Sequence, residues 1–142
     1  MKMNPVVHFE MGYEDKQRMA DFYAKVFGWK AQMMGPEMGN YVVVATGESD
    51  DKSGRPTKPG YINGGFYEKT ENPLSHAPSV VIAVDDIRES MKQVEAAGGK
   101  ILGGMDQSGK HTLEPQEIPG VGLWISIQDS EGNRVSMLQP KM

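Results

Sequence analysis

His8 and Glu10 stand two residues apart in the run Val6-Val7-His8-Phe9-Glu10-Met11, and no other pairing in the chain is better suited to chemistry. On a β-strand, residues two apart project from the same face. A carboxylate held there can raise the pKa of the imidazole and select its tautomer, which makes a general base or a polar contact for a ligand. The same two side chains could begin a divalent-metal site, but such a site needs further donors, and the other histidines are His76 and His111. A histidine in this setting is more often half-buried and hydrogen-bonded to a neighbour or to backbone. The catalytic assignment is therefore open, with His8 and Glu10 the best candidates. The chain has no cysteine, which removes thiolate metal sites, disulfides and a cysteine nucleophile. No serine lies in a nucleophile-elbow motif.

A second group of residues suits ligand contact rather than catalysis. Trp124 lies in Gly122–Gln128, where Leu123, Ile125 and Ile127 alternate with Trp124 and Ser126. It should face away from the isoleucines and could stack on a planar molecule. Ser126 and Ser136 could line the same surface with hydroxyls, and Tyr41 and Tyr67 could add phenols. Asn63-Gly64-Gly65 has missing side chains inside a strand-like stretch, which suggests a kink, a bulge or a close approach to the backbone. A phosphate-cradling loop does not fit there, because no helix start or correctly spaced lysine follows. Asp50-Asp51 and Asp85-Asp86 read as a loop pair and a helix cap.

These residues must be carried by particular elements. Val6 to Met11 alternates as a strand, and Met19, Phe22, Tyr23, Val26 and Phe27 repeat as the apolar stripe of a helix ending at Gly28. Strands are expected at Lys30–Met34, Tyr41–Thr46 and Tyr61–Glu68, with a mobile loop from Gly47 to Gly60. Lys69–Pro78, rich in Asn, Pro and Ser, reads as a linker. The pattern then repeats. Ser79–Val84 is a strand, Asp86 caps a helix whose stripe is Ile87, Met91 and Val94, and Gly98-Gly99 precedes a strand from Lys100. Gly122–Gln128 and Val135–Leu138 close the chain as strands around the turn Asp129-Ser130-Glu131-Gly132-Asn133. His111 falls in an expected loop. The reading is one domain over residues 1–142, with one βαβββ module at about 4–68, the linker at about 69–78 and a second module at about 79–140.

The bulk numbers agree with such a domain. With 38% hydrophobic and 24% charged residues in 142, the chain can build a core. A net charge of −4 argues against a nucleic-acid partner. No stretch is long or apolar enough for a membrane span or a signal-peptide core, so the expected location is cytoplasmic, with no membrane partner. The eleven methionines suit a pliable core or pocket wall.

The strand histidine, then Asp21-Phe22-Tyr23 and Val26-Phe27-Gly28-Trp29, together resemble the opening of proteins of the vicinal-oxygen-chelate superfamily, the glyoxalase/bleomycin-resistance/extradiol dioxygenase fold. The Asp129–Asn133 turn resembles the Asp-Pro-Asp-Gly-Asn turn before that family's last strand. Ile62-Asn63-Gly64-Gly65 and Pro119-Gly120-Val121-Gly122 resemble an uncharacterised subgroup described only as predicted enzymes related to lactoylglutathione lyase. The resemblance covers about Asn4 to Pro140. It implies an α+β fold of two βαβββ modules forming an open eight-stranded cup-like mixed sheet with helices outside and a ligand in the cup. It also implies metal ligands on the first and last strands of each module. Carried onto this chain, those positions fall on His8, on Asn63 or Gly65, on Ser79 and on Ser136. His8 alone is a ligand-type residue there.

On these grounds no metal ligand set and no cofactor is expected, although a divalent metal is not excluded. The expected function is metal-free binding of a small organic molecule, with His8, Glu10, Asn63, Tyr67, Trp124, Ser126 and Ser136 as contacts. The alternative is a metal-dependent lyase, isomerase or dioxygenase of the vicinal-oxygen-chelate type. A homodimer is compatible with either.

Overall fold

The structure, a computed structural model, describes residues 2–141. The chain divides into two compact units, Val7–Pro78 and a second that joins residues 2–6 to Ser79 onward. Each unit is a helix packed on one face of a small mixed sheet.

In the first unit β1 (Val6–Tyr13) leads into α1 (Lys16–Phe27), β2 (Lys30–Met33), β3 (Val42–Ala45) and β4 (Gly64–Glu68). The sheet runs β2-β3-β4-β1, antiparallel except for the parallel pair of β1 and β4. α1 starts because the Asp15 side chain accepts from Arg18 N, satisfying an otherwise orphaned amide. It stops at Gly28, whose φ of 73° is the left-handed conformation that glycine adopts without strain. The buried core joins Tyr13, Val42, Val44 and Phe66, with Phe9, Met11, Met19, Tyr23 and Trp29 packed against it. Tyr23 stacks on Trp29 with ring centroids 4.6 Å apart.

The helical stripe read from sequence is only partly buried. Met19 and Tyr23 reach the core and Ala20 is buried, but Phe22, Val26 and Phe27 are 54%, 55% and 59% exposed. At 100° per residue Phe22 and Val26 lie on the flank away from Ala20, and Phe27 is the last residue of the helix.

The second unit repeats the plan. Its elements are β5 (Ser79–Ala83), α2 (Ile87–Ala96), β6 (Lys100–Met105), β7 (His111–Thr112), β8 (Gln116–Ile118), β9 (Gly122–Gln128) and β10 (Arg134–Pro140). The sheet runs β5-β10-β9-β6, again with one parallel pair, here β5 and β10. Asp86 caps α2 by accepting from Glu89 N. Val84, Ile87, Ile125, Ile127 and Met137 form the core under the helix. The short strands β7 and β8 add to the eight expected. They lie on β6 and β9, and they place His111 in a strand rather than a loop. Residues 2–6 belong to this unit. Ala83 N donates to Pro5 O at 2.9 Å, and Lys2 Nζ pairs with Asp85 at 2.9 Å.

The two polar connections are held by their own bonds. Asn63 accepts from Thr46 N and donates to Ser49 Oγ and Gly54 O, which ties the Gly47–Gly60 loop to the start of β4. In the linker, Ser75 is buried at the centre of bonds to Thr70 and Asn72 within a 3-10 turn, Pro73–His76. No helix among the described residues is long and apolar enough to cross a membrane.

Candidate functional site

Strand alternation decides which side chains share a surface. In the first unit Phe9, Met11 and Tyr13 turn toward α1, so His8 and Glu10 turn to the opposite face. On β4 the register Glu10↔Gly65 puts Gly65 beside Glu10 on that face, and Val43↔Gly65 brings in β3. Tyr41 lies two residues before Val43, its carbonyl accepting from Met34 N at 2.9 Å, and projects to the same side.

These placements assemble a hydrogen-bonded chain. His8 Nε2 lies 3.0 Å from the Tyr41 hydroxyl. That hydroxyl donates to Glu10 Oε2 at 2.8 Å. Glu10 is buried at 7% exposure and His8 is half-buried. The phenol can lie between them because residue 65 is a glycine. A Cβ built there would fall inside the Tyr41 ring and hydroxyl, and a Cβ on Gly64 would fall inside the Phe9 ring. Strand β4 keeps unbroken parallel register with β1 through this segment, so the paired glycines admit rings from both sides rather than kinking the strand.

The electrostatics differ from the sequence expectation. Glu10 does not raise the basicity of His8. Burial lowers the His8 pKa to about 4, because an imidazolium there would lose hydration. Glu10 reaches His8 through the phenol rather than by direct contact. Burial first, then the adjacent Glu10 charge, push the Tyr41 phenol up, so it stays protonated and serves as a donor.

Of the other candidates, Asn63 spends its side chain on the loop described above. The Tyr67 hydroxyl donates to Ser75 O at 2.8 Å, fastening the linker. His76 Nε2 lies 2.8 Å from Thr70 O and His111 Nε2 lies 2.6 Å from Leu102 O, both in exposed settings. In the second unit Ser126 and Ser136 are directly opposed across β9 and β10, on the face away from Ile125, Ile127 and Met137. Both are buried, at 6% and 0% exposure, and neither hydroxyl has a hydrogen-bond partner among the described residues. Trp124 is half-buried on that face, opposite Leu138. Arg134, two residues before Ser136, was not singled out by the sequence reading; its Nη2 lies 3.4 Å from Ser79 Oγ. Its place at the start of the last strand, directly after the Asp129–Asn133 turn, was the available signal.

Residues 6–137 match the Glyoxalase/Bleomycin resistance protein/Dioxygenase superfamily, and the chain belongs to it. It is 27% identical over 135 residues to the anthracycline biosynthesis protein DnrV of Streptomyces peucetius, and 26% identical to DauV of Streptomyces sp. (strain C5). Each match covers 87% of this chain and 42% of the relative, so the chain spans less than half the length of those proteins. Among solved structures, a methylmalonyl-CoA epimerase variant of Streptomyces coelicolor with 2-nitronate-propionyl-CoA is similar at TM-score 0.65 and 12% identity, covering 99% of this chain and 100% of that one. The hypothetical protein BH1468 from Bacillus halodurans C-125 is similar at TM-score 0.64 and 14% identity, covering 99% and 97%. At such identities these structures show a shared fold.

The metal associated with this superfamily meets an unsuitable set of donors. Among the described residues no three His, Cys, Asp or Glu side chains converge to hold an ion. His8 Nε2 and Glu10 Oε2 are both engaged by one phenol. Gly65 brings no side chain, Asn63 is committed elsewhere, and Ser79 and Ser136 offer neutral hydroxyls, poor ligands beside imidazole or carboxylate.

Proposed function

We propose that this protein binds a small organic molecule without a chelated metal, using the face of the first sheet that carries His8, Tyr41 and Glu10. One observation carries the reading. The two ligand-type side chains on β1 are joined to each other through the Tyr41 hydroxyl rather than held open for a cation. A polar group already ordered by its own hydrogen bonds is the kind of orienting element that organic-ligand sites use. The kinship to anthracycline biosynthesis proteins supports a ligand of natural-product size, and within the second unit Trp124, Ser126 and Ser136 are proposed as ligand contacts of that sheet's own face. His8 and Glu10 remain the first candidates for any catalysis, and a location in the cytoplasm and a homodimer belong to the same proposal.

The test is metal analysis of untagged protein purified without chelators, together with native mass spectrometry of the same sample. The expected result is no stoichiometric metal, before or after incubation with excess divalent ions, and a retained or titratable organic ligand. Near-stoichiometric zinc, nickel, iron or manganese that is lost in His8→Ala overturns the reading.

A second reading, acid–base enzyme chemistry of the lyase or isomerase kind, draws support from the directed chain toward Glu10. A hydrogen-bonded carboxylate can receive a proton passed along such a chain. Turnover that survives both His8→Ala and Glu10→Gln would end it.

A further inference from the structure

The bonds around Tyr41 also determine what His8 can offer to a ligand. Tyr41 has one hydroxyl proton and gives it to Glu10 Oε2. Toward His8 Nε2, at 3.0 Å, its oxygen must therefore accept. The ring proton of His8 then sits on Nε2, and Nδ1 keeps its lone pair. Among the described residues nothing bonds to Nδ1; the one hydrogen bond of this ring is that to Tyr41. Burial keeps the ring neutral near pH 7, so no second N–H appears. Gly65 is the condition for all of this, because any side chain at that position would expel the phenol.

We propose that His8 Nδ1 is a hydrogen-bond acceptor for a neutral donor on the ligand, most compactly a phenolic or alcoholic hydroxyl, and that Tyr41 and Gly65 are the positioning residues that fix this polarity. The proposal rests on the small-molecule reading above and names the class of ligand. A molecule presenting only carbonyl or ether oxygen at this point would set lone pair against lone pair and leave Nδ1 unpaired, which costs binding. A hydroxyl pairs it. The specificity is thus built from the direction of two hydrogen bonds rather than from a charge.

The experiment is nitrogen NMR on protein carrying labelled histidine, at fixed neutral pH, with 2-naphthol and 2-methoxynaphthalene as matched probes. His8 in the unliganded protein is expected to carry its proton on Nε2 with Nδ1 bare. Tyr41→Phe and Gly65→Ala are each expected to lose that exclusive preference, a change that loss of packing alone does not produce. 2-Naphthol should shift the Nδ1 resonance and bind roughly tenfold more tightly than the ether, the worth of one neutral hydrogen bond. A proton found on Nδ1 in the unliganded protein overturns the proposal whatever the protein binds. Equal shifts by the two probes overturn the ligand class and leave small-molecule binding standing. No perturbation of any residue by either probe counts against both.

Discussion

Beneath their helices the two sheets are interchangeable in kind. The first buries Tyr13, Val42, Val44 and Phe66, and the second buries Val84, Ile87, Ile125, Ile127 and Met137. On the opposite faces they part. The first sheet places a buried carboxylate and an imidazole there and links them through one inserted phenol. The second places two opposed serines whose hydroxyls find no partner among the described residues. Strand order and the single parallel pair are preserved between the units, so the architecture tolerates either solution. Packing on one face fixes the fold, and the other face is left free to carry chemistry.

The likeness of the helix-side faces can be broken by truncation. Phe66→Ala is expected to cost about 3–5 kcal/mol and Ile125→Ala about 2–5 kcal/mol, because each leaves a cavity at a fully buried position. Urea unfolding of the two variants measures this, and a loss below 1 kcal/mol in either would show that its cluster does not hold its unit together.

On the opposite face the contrast sharpens. Gly65→Ala drives a methyl into Tyr41 and is expected to cost about 1–3 kcal/mol. Combining it with Tyr41→Ala should recover most of the overpacking penalty, and purely additive losses would mean that the two residues do not compete for space.

The third expectation concerns pH. His8 is neutral when folded, with its pKa lowered from 6.5 to about 4. Between those values the unfolded chain binds the extra proton, so the stability this residue contributes is complete above about pH 6.5 and is lost as pH falls toward 4. The melting temperature should decline across that window, and His8→Gln should flatten the decline. A slope unchanged in the variant would assign it to other groups.

The smallest effects belong to the second sheet. Ser126→Ala and Ser136→Ala should change stability by no more than about 0.5 kcal/mol, or raise it, because removing an unpaired buried hydroxyl removes its desolvation cost. A loss of 2 kcal/mol would mean that the hydroxyls do structural bonding after all.

What could be read from the sequence was what is local. β1, α1 up to Gly28, β9 and the Asp129–Asn133 turn are specified by alternation, helical spacing and turn residues close along the chain. His8 and Glu10 were legible as a pair for the same reason. Tyr41 was legible as an aromatic at a strand edge, but its role was not, because the contact runs over thirty residues back to β1 and depends on a missing side chain at Gly65. The same distance hid the purpose of Asn63-Gly64-Gly65, whose neighbours are Phe9 and Tyr41. The direction of the His8 shift was misjudged because burial, a tertiary quantity, outweighs a carboxylate two residues away. β7 and β8 are too short to leave a pattern.

Residues 2–6 precede the first unit in the chain but bond within the second, where Pro5 accepts from Ala83 and Lys2 reaches Asp85. A ribosome therefore delivers the opening residues long before the strand they pair with exists. Closing that contact spans about eighty residues and must be among the later, entropically slower events of folding. A chain cut between Pro78 and Ser79 would not yield two self-sufficient pieces, since the amino-terminal fragment would carry away a segment that the other needs. Fragment complementation at that point should then be asymmetric, with the carboxy-terminal piece rescued by a short peptide that contains little more than residues 2–6.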